Sequence, residues 1–165
     1  MSLPTPIPLV LLGQRVEIGK PVSELLQPEY EGVFSTVAIS YETKLTASSV
    51  IYFIQSVETA QSELPKLLTG KEPTPATNDV GTGNFTQRPR IVMFGRGYTP
   101  ETVEELKKSL TDVVKEPVAW VVGDPAKAPT GPPGPGYIEE VTNDVKAAVA
   151  TWVEEGGTQD AFIVY

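Results

Sequence analysis

Five short apolar runs set what this chain can fold into: residues 8–12, 50–54, 90–94, 118–122 and 161–165. Each is continuous rather than alternating, the pattern of strands covered on both faces of a parallel sheet. Helical spacing fills the intervals. Ile18, Val22, Leu25 and Leu26 recur at i, i+4, i+7 and i+8, and Ala60, Leu64, Leu67 and Leu68 repeat that spacing in a second helix, which Pro65 is expected to kink or shorten. A third helix starts with Thr99 as N-cap, Pro100 at N1 and Glu101 in the first turn, and continues through Val103, Leu106, Leu110 and Val113. The fourth, over 137–155, places Ile138, Val141, Val145, Ala148, Val149 and Trp152 on one stripe before Gly156 and Gly157 stop it. Strands alternating with helices predict an α/β fold, a doubly wound sheet of about five mainly parallel strands with helices on both faces. Strand order 3-2-1-4-5 and order 2-1-3-4-5 both fit.

Residues 8–27, PLVLLGQRVEIGKPVSELLQ, read as a buried strand, a glycine-bearing turn and an amphipathic helix. This is the first half of a nucleotide-binding βαβ unit. It presents backbone N–H groups and the positive end of a helix dipole beside a strand's carboxyl end, where a phosphate can sit.

With 165 residues and a formal charge of -8, the chain is expected to be one domain, 1–165, whose average surface repels nucleic acid and anionic membranes. It contains no cysteine and no histidine, which excludes disulfides, thiol nucleophiles, ordinary zinc sites and a Ser-His-Asp relay. Proton transfer would fall to Asp, Glu, Lys, Tyr or water, and any metal would be a hard cation on oxygen ligands; no metal site is assigned. The start of the chain, MSLPTPIPLVLLG, carries no basic leader, and its apolar run is too short to span a bilayer, so a soluble cytoplasmic protein is expected. The Asn84-Phe85-Thr86 sequon is then without consequence.

Two linkers interrupt the rhythm, an irregular loop over 71–90 and the proline-rich stretch 124–136, which contains APTGPPGPG and reads as a stiff spacer. Residues 32–49 are atypical, because removing them would restore the ordinary spacing between the first helix and the second strand. They read as an inserted hairpin or edge strand, with Val33, Val37, Ile39 and Tyr41 partly on one face, or alternatively as a translated intron.

Parallel strands deliver their downstream turns to one edge, where ligands of such folds bind near a topological switch point. Here those residues are Gly13, Gln14 and Arg15; Gln55 and Ser56; Gly95, Arg96 and Gly97; Gly123 and Asp124, with Lys20 and Lys127 within reach. Arg15 and Arg96 could clamp a phosphate or carboxylate between two guanidinium forks. Each assignment has a plainer counterpart. Gly13 and Gly19 also suit a tight turn with close helix packing, 95–97 an ordinary strand-to-helix turn, and Asp124, beside a proline, a turn former. Tyr98 and Tyr137 can stack on a base or pack against neighbouring loops.

The first turn resembles that of the short-chain dehydrogenases, whose Gly-x-x-x-Gly-x-Gly loop is matched at Gly13 and Gly19, with Ile18-Gly19 standing like that family's Ile-Gly pair. Glu17 replaces the middle glycine, and no Tyr-x-x-x-Lys pair exists, so that family's catalytic pair does not carry over. Through its VLLG, EIGK, LQPEY and FIQS segments the chain is also similar to small fungal NAD(P)-binding-like proteins, Rossmann-like in fold and without an assigned activity. Gln55 and Ser56 stand where NAD-preferring proteins place an acidic residue, which leaves NADP, a mononucleotide or no nucleotide. The leading expectation is a small Rossmann-like protein binding a phosphorylated nucleotide or similar anion at the strand carboxyl edge. Its cofactor-binding residues would be Gly13, Gln14, Arg15, Ile18, Gly19, Gln55, Ser56, Gly95, Arg96 and Asp124. The competing expectation is a noncatalytic interaction or scaffold module that has lost cofactor binding. A homodimer fits either.

Overall fold

The computed structural model describes residues 3–4, 6–26, 48–75 and 78–165. Strand β1 (Ile7–Leu12) leads into α1 (Val16–Leu26), and β2 (Ser48–Ile54) into α2 (Val57–Leu68). Strand β3 (Ile91–Phe94) is followed by α3 (Pro100–Ser109), β4 (Ala119–Val122) by a short 3-10 turn (Pro125–Lys127) and α4 (Tyr137–Glu154), and β5 (Ala161–Val164) completes the sheet. Of the atypical segment 32–49, residues 32–47 lie outside the described residues. Ser48 and Ser49 open β2, paired with Ile7 and Pro8, so the strand starts two residues before its apolar run.

The five strands are all parallel in the order β2-β1-β3-β4-β5, which selects the 2-1-3-4-5 arrangement. The chain steps from β1 to β2 on one side and then returns to β3 on the other, so the switch point lies between β1 and β3. Leu12 pairs with both Ile54 and Phe94, and Phe94 with Val122, which leaves the carboxyl edge flush. Three turns extend the ladders by one step: the N–H groups of Gly13, Gly95 and Gly123 donate to the carbonyls of Ile54, Leu12 and Phe94 at 3.0, 2.8 and 3.3 Å.

Side chains of β1 divide between two cores. Ile7, Leu9 and Leu11 pack with Val22 and Leu26 of α1 and with Val141, Val145, Val149 and Trp152 of α4. Val10 and Leu12 pack on the other face with Ala60, Leu64 and Leu67 of α2 and Val103 and Leu106 of α3. Pro65 does not end α2, which runs on to Leu68. Two expected core positions are exposed, Leu25 at 42% and Val113 at 46%. In α1 the buried stripe is Gly19, Val22, Ser23 and Leu26, centred on small residues that let the helix approach the sheet, and Leu25 falls outside it. Val113 lies beyond the end of α3. Strand β5, paired on one side only, is half-covered, with Val164 at 50% exposure.

The loop over 71–90 covers the outer edge of β2. Thr82 and Gly83 donate backbone N–H groups to the Val50 and Ile51 carbonyls at 2.9 and 3.1 Å, Asn78 Nδ2 donates to the Phe53 carbonyl at 3.3 Å, and the Tyr52 hydroxyl donates to the Thr74 carbonyl at 2.8 Å. An open strand edge invites pairing with other chains, and this loop occupies it. No helix among the described residues is long and apolar enough to cross a membrane.

Candidate functional site

A cleft of about 210 Å³ opens at the switch point. Its floor is Leu11, Phe53 and Met93; one side is the turn from Gly13 to Gly19, another the loop from Gly95 to Tyr98, and Ala128, Pro129, Gly131 and Pro133 form a third wall against Tyr137, Val141 and Tyr165. Of the residues singled out by sequence, Gly13, Gln14, Arg15, Ile18, Gly19, Gly95 and Arg96 line this one space. Among the described residues no acidic side chain lines it, although the chain carries 21 acidic residues.

Gln55, Ser56 and Asp124 do not line the cleft. Ser56 caps α2, its hydroxyl accepting from Thr59 N–H at 3.1 Å, and the Gln55 carbonyl accepts from the Tyr98 hydroxyl at 3.4 Å. Asp124 caps the 3-10 turn, accepting from Ala126 N–H at 2.9 Å, as expected of an Asp before proline. Glu17 is exposed and stays outside the cleft. Lys20 is engaged at 2.6 Å with Asp79, a hydrogen bond and charge pairing that push the lysine's pKa up and the aspartate's down.

The two glycines of the first turn have a packing role. A Cβ on Gly19 would lie 2.6 Å from Phe53 Cζ, and one on Gly13 would lie 3.0 Å from Cε2 of the same ring. The aromatic ring fills the space beneath the turn, so the glycines bring strand, turn and helix together over it.

The expected two-arginine clamp is corrected in one half. Arg96, with a side chain 1% exposed, places Nη2 2.7 Å from Asp144 Oδ2 and Nη1 3.2 Å from Glu140 Oε1, so both terminal nitrogens are held by carboxylates of α4. Its guanidinium carbon lies 5.6 Å from the Tyr137 ring centre and 5.5 Å from that of Tyr165, a cation held between two aromatic groups. Its Nε is buried and finds no hydrogen-bond partner among the described residues. Gly123 makes this possible, since a Cβ there would come within 2.7 Å of Arg96 Cα. Arg15 is exposed at the rim and has no ion pair among the described residues.

Tyr98 and Tyr137 both pack against the cores and also line the cleft. Tyr98 meets Phe94 edge-on at 5.6 Å, and burial pushes its phenol pKa up. Sequence reasoning missed Phe53, Met93, Glu140, Asp144 and Tyr165. Tyr165 follows β5 to the same edge, and its hydroxyl donates to the Phe94 carbonyl at 2.9 Å; burial drives its pKa well above the ordinary tyrosine range. The placement of β5 beside β4 was a usable signal for it, whereas the pairing of Arg96 with α4 required the three-dimensional arrangement.

Compared with known proteins, the chain is 32% identical over 155 residues, 93% of its own length and 82% of the other's, to "Kojic acid related protein 6" of Aspergillus oryzae. No protein-family model matches the chain, and no solved structure matches it.

Proposed function

The chain belongs to the family of Kojic acid related protein 6, and from that premise we propose that it binds one small anionic ligand in the carboxyl-edge cleft between β1 and β3. The observation that carries this reading is the cleft's lining: apolar and aromatic walls, Arg15 at the rim and, among the described residues, no acidic side chain, in a chain of net charge -8. Such a lining favours a flat, mainly apolar body ending in a phosphate, carboxylate or enolate. Its volume of about 210 Å³ lies below the roughly 300–1,000 Å³ of drug-sized ligand sites, so the cleft encloses a group smaller than a dinucleotide. NADP would bind through one phosphorylated portion with the remainder on the surface.

Thermal-shift measurements with NADPH, NADH, AMP, inorganic phosphate and kojic acid, the last suggested by the relative's name, test the proposal. Saturation at a hundred times the dissociation constant contributes about 2.7 kcal/mol, which corresponds to a rise of roughly 5–10 °C for a chain of this size. Arg15→Ala should abolish most of the shift while leaving the unliganded melting temperature unchanged. A shift that survives Arg15→Ala would place the ligand elsewhere. The ring of Phe53 beneath both glycines favours a second reading, an interaction module that keeps the fold without a cofactor, and no shift with any compound would support it.

A further inference from the structure

The proline-rich wall of the cleft is held mainly at its ends. Over residues 128–136, Pro129, Pro132, Pro133 and Pro135 have no N–H to donate. Among the described residues, the backbone bonds at the ends of this stretch are Ala128 N–H to Pro125 O at 3.2 Å, Tyr137 N–H to Gly134 O at 3.3 Å and Glu140 N–H to Gly136 O at 3.0 Å. Ala128 and Pro133 are half-buried and the rest of the stretch is exposed, so side-chain packing adds little. Its entry is fastened to α4 by Lys127, whose Nζ lies 3.1 Å from Asp144 Oδ2. That same oxygen accepts from Arg96 Nη2 at 2.7 Å, so one carboxylate atom joins the loop after β3, the wall after β4 and helix α4.

We propose that residues 128–136 are a movable wall of the cleft, and that the Lys127–Asp144 ion pair positions it in the closed arrangement; its bearing on ligand capture rests on the binding reading above. The pair is suited to this role because it is partly exposed, with side-chain exposures of 46% and 32%. Such a pair holds weakly and yields to salt. Proline stiffness carries the effect along the segment, because a change in direction at Lys127 displaces Pro129, Gly131 and Pro133 together. The Arg96 side chain is itself buried, with 1% exposure, and is expected to keep its bond to Asp144 when Lys127 is altered.

The test is NMR relaxation of the Gly131 and Gly134 amides in the full chain. Wild type at low salt should give order parameters near those of ordered backbone, about 0.85, and Lys127→Met should lower them toward about 0.6. Lys127→Arg should restore them, and 0.5 M sodium chloride should loosen wild type but not the Met variant. Equal order parameters in wild type and Lys127→Met, or an Arg variant as loose as the Met variant, would overturn the proposal. The dissociation rate of 8-anilinonaphthalene-1-sulfonate from the cleft should rise several-fold in Lys127→Met and return in Lys127→Arg. Absence of binding by any compound in wild type counts against the ligand reading alone, because the glycine order parameters decide the position of the wall without a ligand.

Discussion

Phe53 lies directly beneath Gly19, so that a Cβ added to the glycine would sit 2.6 Å from the ring's Cζ. Two effects oppose one another in Gly19→Ala. Alanine is favoured over glycine inside a helix by about 1 kcal/mol, whereas overpacking a filled core costs about 1–3 kcal/mol. The obstacle is a buried ring whose relative exposure is 2%, so the packing cost prevails. Gly19→Ala is expected to lose about 1–2 kcal/mol in urea denaturation, and adding Phe53→Leu should recover part of that loss through the coupling of touching residues. A Gly19→Ala protein more stable than wild type would refute this packing.

The same pair marks how far the sequence could be read. Continuous apolar runs located all five strands; for β1, β3 and β4 the reason is burial on both faces, which leaves no polar position, whereas β5 keeps an apolar run although it is half-covered. The carboxyl edge followed from parallel pairing, and Gly13, Arg15, Gly95 and Arg96 do meet there. Glycine identity did not reveal what fills the space that it leaves, because a bare backbone suits a phosphate and an aromatic ring alike. Arg96 was legible as an edge residue but not as an ion-paired one, since Glu140 and Asp144 are 44 and 48 residues away in sequence. Leu25 misled because the helix buries Gly19 and Ser23 for close approach, a choice that counting large apolar residues overlooks.

Arg96 should prove structural. Breaking a buried ion pair costs about 3–5 kcal/mol when the remaining charge cannot reach water. Here Glu140 and Asp144 have side-chain exposures of 59% and 32%, so they can rehydrate, and the expected loss for Arg96→Ala falls to about 2–4 kcal/mol, part of it lost packing of the aliphatic stem. Arg96→Met retains the stem and should lose less, by about 1 kcal/mol. Chemical denaturation separates the two contributions, and a Met variant equal to wild type would show that packing alone holds the residue's neighbours in place.

Glu63 should make stability depend on acid. Burial pushes its carboxyl pKa up, but hydrogen bonds from the backbone N–H and side chain of Thr74, from Lys66 and from Ser62 outweigh burial and hold it below the ordinary value. The Thr74 N–H donates to Oε2 at 2.8 Å, tying α2 to the loop that covers β2. Because the folded-state value is the lower one, the unfolded chain takes up the proton first. The stabilisation is therefore complete above the unfolded-state value of about 4.3 and fades as pH falls through the folded-state value. Glu63→Gln should cost about 1–2 kcal/mol at pH 7 and flatten the decline of stability below about pH 4.3. An unchanged slope in the variant's acid titration would exclude this role.

Gly81 guards the β2 edge through backbone geometry. Its φ is +97°, a region that side chains rarely enter, and a Cβ there would lie 2.9 Å from the carbonyl carbon and oxygen of Ile51. Neither obstacle is a side chain that can swing aside, so Gly81→Ala must shift the loop. The next two residues, Thr82 and Gly83, donate the backbone bonds that satisfy Val50 and Ile51, so the shift also weakens the cover over the edge. A stability loss of about 1–3 kcal/mol is expected from strain, together with faster amide exchange at 82–83. Light scattering near the onset of unfolding should detect association of the uncovered edge before global melting in the variant. Gly83→Ala supplies the contrast: its φ is +66°, but a Cβ there meets nothing within 4 Å, so it should cost less and leave the edge covered. Equal exchange and scattering in the two variants would mean that the loop holds the edge without the close approach at Gly81.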